Sequence, residues 1–357
     1  MTPVYSRDGS AEFNERLNVT LLRIGDEVEQ ALGNNLVTLV LGGGYGRGEG
    51  GLIVKDGKEM PYNDLDLTLV VGRKSTIPGD RLKAIEKKYA EELNIHVDFS
   101  RPLTVRDVEN WPHWLMWYDL INGYVTLKGG QELLASLAPA TLKEPLPVIE
   151  ATRLLLNRGT GLLWAFRVVR KIEDAPDEDF VRRNYYKCSL ALGDALLIAY
   201  QRFTTKYWGR DDLLADLERT EPKVAAFGLQ PLYREALRFK FRPDQVSSDA
   251  MTEEDLKTLA EIWGAVFLHV EMVRTGLVWS SLDDYVHWKG IREKDQHAIP
   301  LLLRNIARNL QMGRRSWRYP RETLYRQLPV LLSLVKVNAG NWAEETESFL
   351  GIWNRFN

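Results

Sequence analysis

Three short stretches hold the residues whose types and spacing suit chemistry. Gly43-Gly44-Tyr45-Gly46-Arg47-Gly48-Glu49 is a glycine-rich turn. Asn63-Asp64-Leu65-Asp66-Leu67 carries two aspartates two residues apart, and His96-Val97-Asp98-Phe99 carries a third between apolar neighbours. Glycine lets a backbone approach a phosphate and adopt angles closed to other residues. The N–H groups of such a turn form an anion-binding nest. Carboxylate oxygens are the ligands that hard Mg2+ prefers, and Mg2+ also binds phosphate oxygens. Residues two apart on a strand point the same way. Asp64 and Asp66 are therefore expected on one face while Leu65 and Leu67 enter the core, and Asp98 follows the same alternation on its own strand. A phosphate cradle beside three carboxylates is the arrangement these spacings predict.

Taken in order, Gly-Gly, Asp-x-Asp and a later lone Asp between apolar residues resemble the signature of the nucleotidyltransferases of the DNA polymerase beta superfamily. The resemblance covers the N-terminal third of the chain. It implies an Mg2+-dependent enzyme with two ions, Mn2+ being a substitute. Such an enzyme moves an NMP group from an NTP, ATP being the expected donor, to an acceptor hydroxyl or phosphate and releases pyrophosphate. It further implies that Asp64, Asp66 and Asp98 are the catalytic residues and the metal ligands, the first two binding both ions and Asp98 lying nearest the acceptor as base or ligand. The nucleotide contacts fall on Gly43, Gly44, Tyr45 and Arg47, with Lys187 contributed by a helical domain that closes the cleft. Gly44 stands where the family often has serine, which removes one hydroxyl contact to phosphate. Arg47 either reaches a phosphate or pairs with Glu49. The gap between the glycine pair and Asp64 exceeds the family's usual spacing and is filled by residues 52–60.

Other glycine motifs fit less well. Gly46-x-Gly48-x-x-Gly51 satisfies the dinucleotide pattern, but that turn should open a helix, and Leu52-Ile53-Val54 reads as a strand. The lysine, catalytic-loop and Asp-Phe-Gly set of a kinase is not evident.

The elements that must position these residues follow from periodicity. Phe13, Leu17, Leu21, Ile24, Val28 and Leu32 form one stripe of a helix over 11–33. Residues 36–41 read as a buried strand, 52–60 as a hairpin about Asp56-Gly57, 65–69 and 95–99 as strands, and 124–127 as an edge strand. Pro78-Gly79-Asp80 opens a helix reaching about Leu93, with Leu82, Ile85 and Tyr89 inward. Trp111, Trp114 and Trp117 follow helical spacing, as core or as an aromatic wall. The predicted fold class is α+β: a mixed-sheet catalytic domain over 1–145 with helices on one face, then an all-helical domain over 146–357. Pro145 and Pro147 mark the hinge. Helices are expected at about 148–172, 178–205, 222–240, 252–276, 296–312 and 320–337.

Composition narrows the partners. The chain is 45% hydrophobic and 27% charged with a formal net charge of -2, so no global field draws it to nucleic acid or membrane. That favours a small-molecule acceptor. The alternatives are RNA- or protein-directed transfer, including a toxin–antitoxin role, and a catalytically silent nucleotide-binding regulatory module. Seven arginines and one glutamate between Arg304 and Arg326, with Trp317, Tyr319 and Tyr325, suit either RNA or a solvated helix face. The single cysteine, Cys188, excludes an internal disulfide and reads as core. No apolar run approaches the ~18 residues of a membrane span, and the N-terminus lacks a signal-peptide core. A cytoplasmic location is the expectation.

Overall fold

A computed structural model of the chain describes residues 3–334 and 341–356. Helix α1 (Ala11–Leu32) starts where the Ser10 hydroxyl accepts the Phe13 N–H, and its whole apolar stripe is buried. Strand β1 (Leu36–Leu41) leads into the short helical turn α2 (Gly43–Gly46). The hairpin β2 (Leu52–Lys55) and β3 (Lys58–Pro61) is closed by Asp56 and Gly57 with φ of 51° and 74°. Two positive φ angles are what a two-residue hairpin turn of the right twist needs. Then come β4 (Leu65–Val71), α3 (Gly79–Leu93), β5 (Val97–Phe99), β6 (Leu103–Thr104), α4 (Val105–Glu109), α5 (Leu115–Ile121), β7 (Val125–Lys128) and α6 (Leu133–Leu137).

The main sheet has the order β5-β4-β1-β7, with β6 also pairing with β4. β1 runs antiparallel to β4 and β7, while β4 is parallel to β5 and β6, so the sheet is mixed. Its residues divide by strand alternation. Leu39, Leu41, Leu65, Leu67, Leu69, Val97 and Phe99 pack with the inner faces of α1 and α3. Val40 and Val70 point the other way, into Val108, Trp111, Leu120, Ile121 and Leu134. Helices therefore cover both faces, not one as expected. The reason is that alternation marks which residues share a face but not how far that face is covered. Trp111 stacks on Trp117 at 4.1 Å within this second layer, which makes it core, whereas Trp114 is exposed.

The chain divides into two units. Unit 1 comprises Met1–Pro147, Gln201–Leu213 and Arg234–Ser248; unit 2 comprises Val148–Tyr200, Leu214–Tyr233 and Asp249–Asn357. A single boundary at 145 had given every later residue to the helical domain, yet two later segments belong with the sheet. The remaining helices are α7 (Ile149–Val169), α8 (Phe180–Ala199), α9 (Arg210–Thr220), α10 (Pro222–Ala225), α11 (Gln230–Phe241), α12 (Glu253–Thr275), α13 (Leu282–His287), α14 (Ile299–Gln311), α15 (Glu322–Ser333) and α16 (Trp342–Phe356). The single helix expected over 222–240 is two, interrupted where Gly228 takes a φ of 59°. The helix expected over 178–205 stops at Ala199, just before Gln201 at φ 58°. Residues 335–337 of the expected 320–337 helix lie outside the described residues. In unit 2 the Trp263 indole N–H donates to the Leu155 carbonyl at 2.9 Å. Among the described residues no helix is long and apolar enough to cross a membrane.

Candidate functional site

Strand register decides the first feature of the site. β4 and β5 are parallel, and Asp66 is the register partner of Asp98. Neighbouring strands lie about 4.8 Å apart, so the two aspartates stand side by side. Both are exposed, although Leu65, Leu67, Val97 and Phe99 around them are buried. Asp66 shares its face with Val70, which the helical layer of α4 to α6 covers; Asp66 lies at the open end of that face. Asp64 is exposed just before β4 begins.

Antiparallel pairing of β1 with β4 then delivers the glycine turn to the same place. The Gly42 N–H donates to the Asp66 carbonyl at 2.8 Å. A Cβ on Gly43 would lie 2.0 Å from Asp66 Oδ2, and Gly43 has a φ of 61°. Only glycine satisfies both conditions. The turn and the Asp66 carboxylate are thus in direct contact. The first N–H groups of the α2 turn have no intrahelical acceptor, as at any helix start.

Below the turn, the side chains of Tyr45 and Asn63 tie the backbone down. Tyr45 is 1% exposed; its hydroxyl donates to the Gly51 carbonyl at 2.6 Å and accepts the Tyr62 N–H at 3.0 Å. Burial holds its phenol well above the ordinary range, so it stays neutral and able to donate. A Cβ on Gly50 would fall 1.9 Å from the Tyr45 ring. The Gly51 N–H donates to Asn63 Oδ1 at 2.6 Å, tying the turn to the residue before Asp64. Tyr45, expected among the nucleotide contacts, has its side chain in the core, so only its backbone lies at the turn.

Arg47 resolves the same way. Its side chain is 7% exposed and lies 3.6 Å from Glu49, with the guanidinium 5.8 Å from the Tyr207 ring centroid. Of the two expectations for Arg47, the pairing with Glu49 is the one observed. Glu49 is itself buried and accepts the N–H groups of Tyr207 and Trp208, each at 3.1 Å. These bonds span about 158 residues of sequence and explain why residues 201–213 belong to unit 1. Buried Arg210 caps the carbonyls of Thr204, Thr205 and Lys206 in that segment. The segment 234–248 buttresses the hairpin: the Val54 N–H donates to Asp244 Oδ2 at 3.2 Å, and Tyr62 meets Phe239 edge-on at 6.0 Å. Lys240 Nζ sits 4.2 Å from the Tyr207 ring centroid. Sequence reasoning named Glu49 as a partner for Arg47 but did not find Tyr207, Arg210 or Lys240 as parts of the site's support. The one local signal was an acid between glycines, a place where a charge needs a partner.

Lys187, expected at the triphosphate, is exposed on α8 and belongs to unit 2, not to the unit that holds the carboxylates. Asp194, on the same helix, is buried and accepts the Tyr233 hydroxyl at 2.6 Å. Arg183, on the same helix, pairs with Asp177 at 2.6 Å. Cys188 is buried in the core, where desolvation pushes its thiol up to about 12.

Asp64, Asp66 and Asp98 together present only oxygen donors at exposed positions, and in kind they fit a hard divalent cation. Among the described residues, no three His, Cys, Asp or Glu side chains are gathered closely enough to hold a metal ion as they stand. Neither a scan of protein-family models nor a search of curated proteins finds a match to the chain.

Proposed function

We propose that unit 1 is an Mg2+-dependent nucleotidyltransferase domain of the kind the sequence resembles, acting on a small-molecule acceptor with ATP as donor. The observation that carries this reading is the contact of the glycine turn with Asp66, whose register partner is Asp98. A phosphate-binding backbone and paired carboxylates at one open sheet end are the two parts that such transfer needs, because catalysis of this class is mostly positioning and charge neutralisation. Asp64, Asp66 and Asp98 are the residues that would hold Mg2+, which when bound supplies neutralisation of the triphosphate charge.

In the proposed reaction an acceptor oxygen attacks the α-phosphorus of the NTP. A new P–O bond forms, the bond to the oxygen bridging α and β breaks, and pyrophosphate leaves with that electron pair. The Asp98 carboxylate takes the proton of the acceptor hydroxyl. The N–H groups of Gly43 and Gly44 donate to triphosphate oxygens, while Arg47, Glu49 and Tyr45 hold the turn from behind. A small, near-neutral acceptor is consistent with the net charge of -2.

The test is incubation with each α-phosphate-labelled NTP and Mg2+, alone and with lysate separated into metabolites, RNA and protein. Label on a metabolite that disappears in Asp66→Asn is the expected outcome. Label on RNA or protein would keep the chemistry and replace the acceptor. Metal-dependent NTP binding without transfer would make unit 1 a silent binding module, and no NTP binding would overturn the reading.

A further inference from the structure

Helix α14 is turned the wrong way round for an amphipathic helix of a globular core. Its buried residues are Asn305 and Asn309, while Ile299, Leu303 and Leu310 are 87%, 77% and 60% exposed. The inversion has a specific cause. Asn305 Nδ2 donates to the Gln296 carbonyl at 2.8 Å, and Asn309 Nδ2 donates to the Arg318 carbonyl at 2.7 Å. These bonds pin the polar side inward. Ile299, Leu303, Ile306 and Leu310 are spaced by four, three and four, which aligns them in a single stripe.

Charge along the segment that carries the stripe has one sign. From His297 to Arg321 the chain has six arginines and no acid. Four of these have partners: Arg318 donates to the Gly290 carbonyl and lies 3.4 Å from Glu322, Arg321 lies 3.6 Å from Glu293, Arg304 donates to Gln296 Oε1 at 3.2 Å, and Arg314 to Thr323 Oγ1 at 3.4 Å. Arg304 and Arg315 are exposed, and Arg308 is half-buried beside Phe356. Arg355 of α16 reaches across to Gln311 Oε1 at 3.0 Å, adding a further cation beside the helix. Trp317, 46% exposed, extends the apolar side.

We propose that α14 and the turn after it form a docking surface for an anionic lipid bilayer, the helix lying in the interface with its Ile and Leu stripe inserted. Apolar residues on one side, arginines beside them and a tryptophan at the edge are what interfacial helices use. Anionic lipid supplies a countercharge to exposed Arg304 and Arg315, and acyl chains cover the stripe. Two other occupants fit less well. RNA would satisfy the arginines but leave Ile299, Leu303 and Leu310 in water, since aliphatic side chains offer no ring on which a base stacks. A second copy docking through the same stripe would bring two acid-free arginine sets together.

Full-length protein is sedimented with vesicles of equal parts phosphatidylcholine and phosphatidylglycerol, and with phosphatidylcholine alone. Binding to the anionic vesicles only, weakened by salt, is expected. The double variant Leu303→Glu/Leu310→Glu should bind at least about tenfold less, and Arg304→Gln and Arg315→Gln about fivefold less each. These side chains are exposed, so unchanged thermal unfolding of the variants is the control. Ile299→Ser is a second, milder probe of the same stripe. The proposal is overturned by absent binding to anionic vesicles, or by binding that the double variant retains. It is also overturned by a solution dimer, a complex with an acidic protein, or RNA binding that accounts for the stripe or the arginines instead.

Discussion

Two regions of this molecule handle charge in opposite ways. At the sheet end of unit 1, Asp64, Asp66 and Asp98 are exposed on a rigid, fully buried apolar support. In unit 2 a comparable number of acids is sunk in the interior and answered group by group. Glu271 accepts Thr152 Oγ1 at 2.6 Å, the Tyr285 hydroxyl at 2.7 Å and Arg274 at 2.5 Å. Arg153 donates to Glu150 at 2.8 Å, to Glu293 at 2.6 Å and to Asp295 at 3.0 Å. Glu293 also accepts the Tyr325 hydroxyl, and Glu322 accepts the N–H groups of Arg292 and Glu293. Burial alone would lower the affinity of Arg153 for its proton, but Glu293, Tyr325 and Glu150 reverse that and hold it charged. A buried charge must be matched this completely, because an unmatched one costs several kcal/mol. Carboxylates left facing water on a rigid frame are open to a ligand. The contrast separates a structural network from a candidate site on burial.

Substitutions can break that contrast at either end. The largest expected effect is at the open acids. Asp66→Asn should lower transfer by more than the ~100-fold seen when even outer partners of metal ligands are removed. Its unfolding midpoint should stay near that of the parent, since an exposed side chain carries little stability. Asp64→Asn should behave alike. Loss of folding in either, checked by urea unfolding, would place these acids with the structural set. At the matched end the prediction inverts. Arg153→Met leaves Glu293 buried without its main partner and should cost about 3–5 kcal/mol in urea unfolding.

Next in size is Glu49→Gln, which weakens the pairing with Arg47 and the bonds to Tyr207 and Trp208. It should cost about 1–3 kcal/mol and loosen residues 201–213, visible as faster amide exchange there. Slower transfer in this variant would report positioning, with KM for NTP moving less than kcat. Lys187→Ala should leave stability within about 0.5 kcal/mol. A raised KM for NTP in that variant would join α8 to the site, and an unchanged KM would remove Lys187 from it.

The smallest effect concerns pH. His269 stacks on Tyr200 with Nε2 3.0 Å from its hydroxyl, and burial pushes its pKa down, with Lys223 adding to the effect. The unfolded chain therefore takes up the proton first. Stability is full above the ordinary histidine value of about 6.5 and declines as pH falls from there toward the lowered folded value. His269→Gln should flatten that decline in pH-dependent unfolding. A decline of unchanged size would assign it to other groups.

Much of unit 1 could be read from the chain because its information is local. The stripe of α1, the Asp56-Gly57 hairpin, the alternation about Asp66 and Asp98 and the run to Leu93 each depend on residues within a few positions of one another. Helices on both sheet faces could not be read, because Val40 and Val70 look the same in sequence whether water or α4 to α6 lies beyond them. The motif alone does not tell that the Tyr45 ring is buried or that Arg47 lies beside Glu49, because both depend on packing against distant residues.

By itself the sequence determined which residues carry carboxylates and glycines, their alternation, and therefore the side of each strand on which an acid appears. Steric and periodic rules act over a few residues and need no partner. Tertiary structure alone decided that Asp66 registers with Asp98, that Gly43 rests on the Asp66 carboxylate, and that Glu49 gathers Tyr207 and Trp208 into the sheet unit. It also decided that Asn305 and Asn309 face inward while Leu303 and Leu310 face out. These outcomes depend on pairing between residues far apart in the chain, where packing and the pairing of buried polar groups choose among arrangements that local pattern leaves equal.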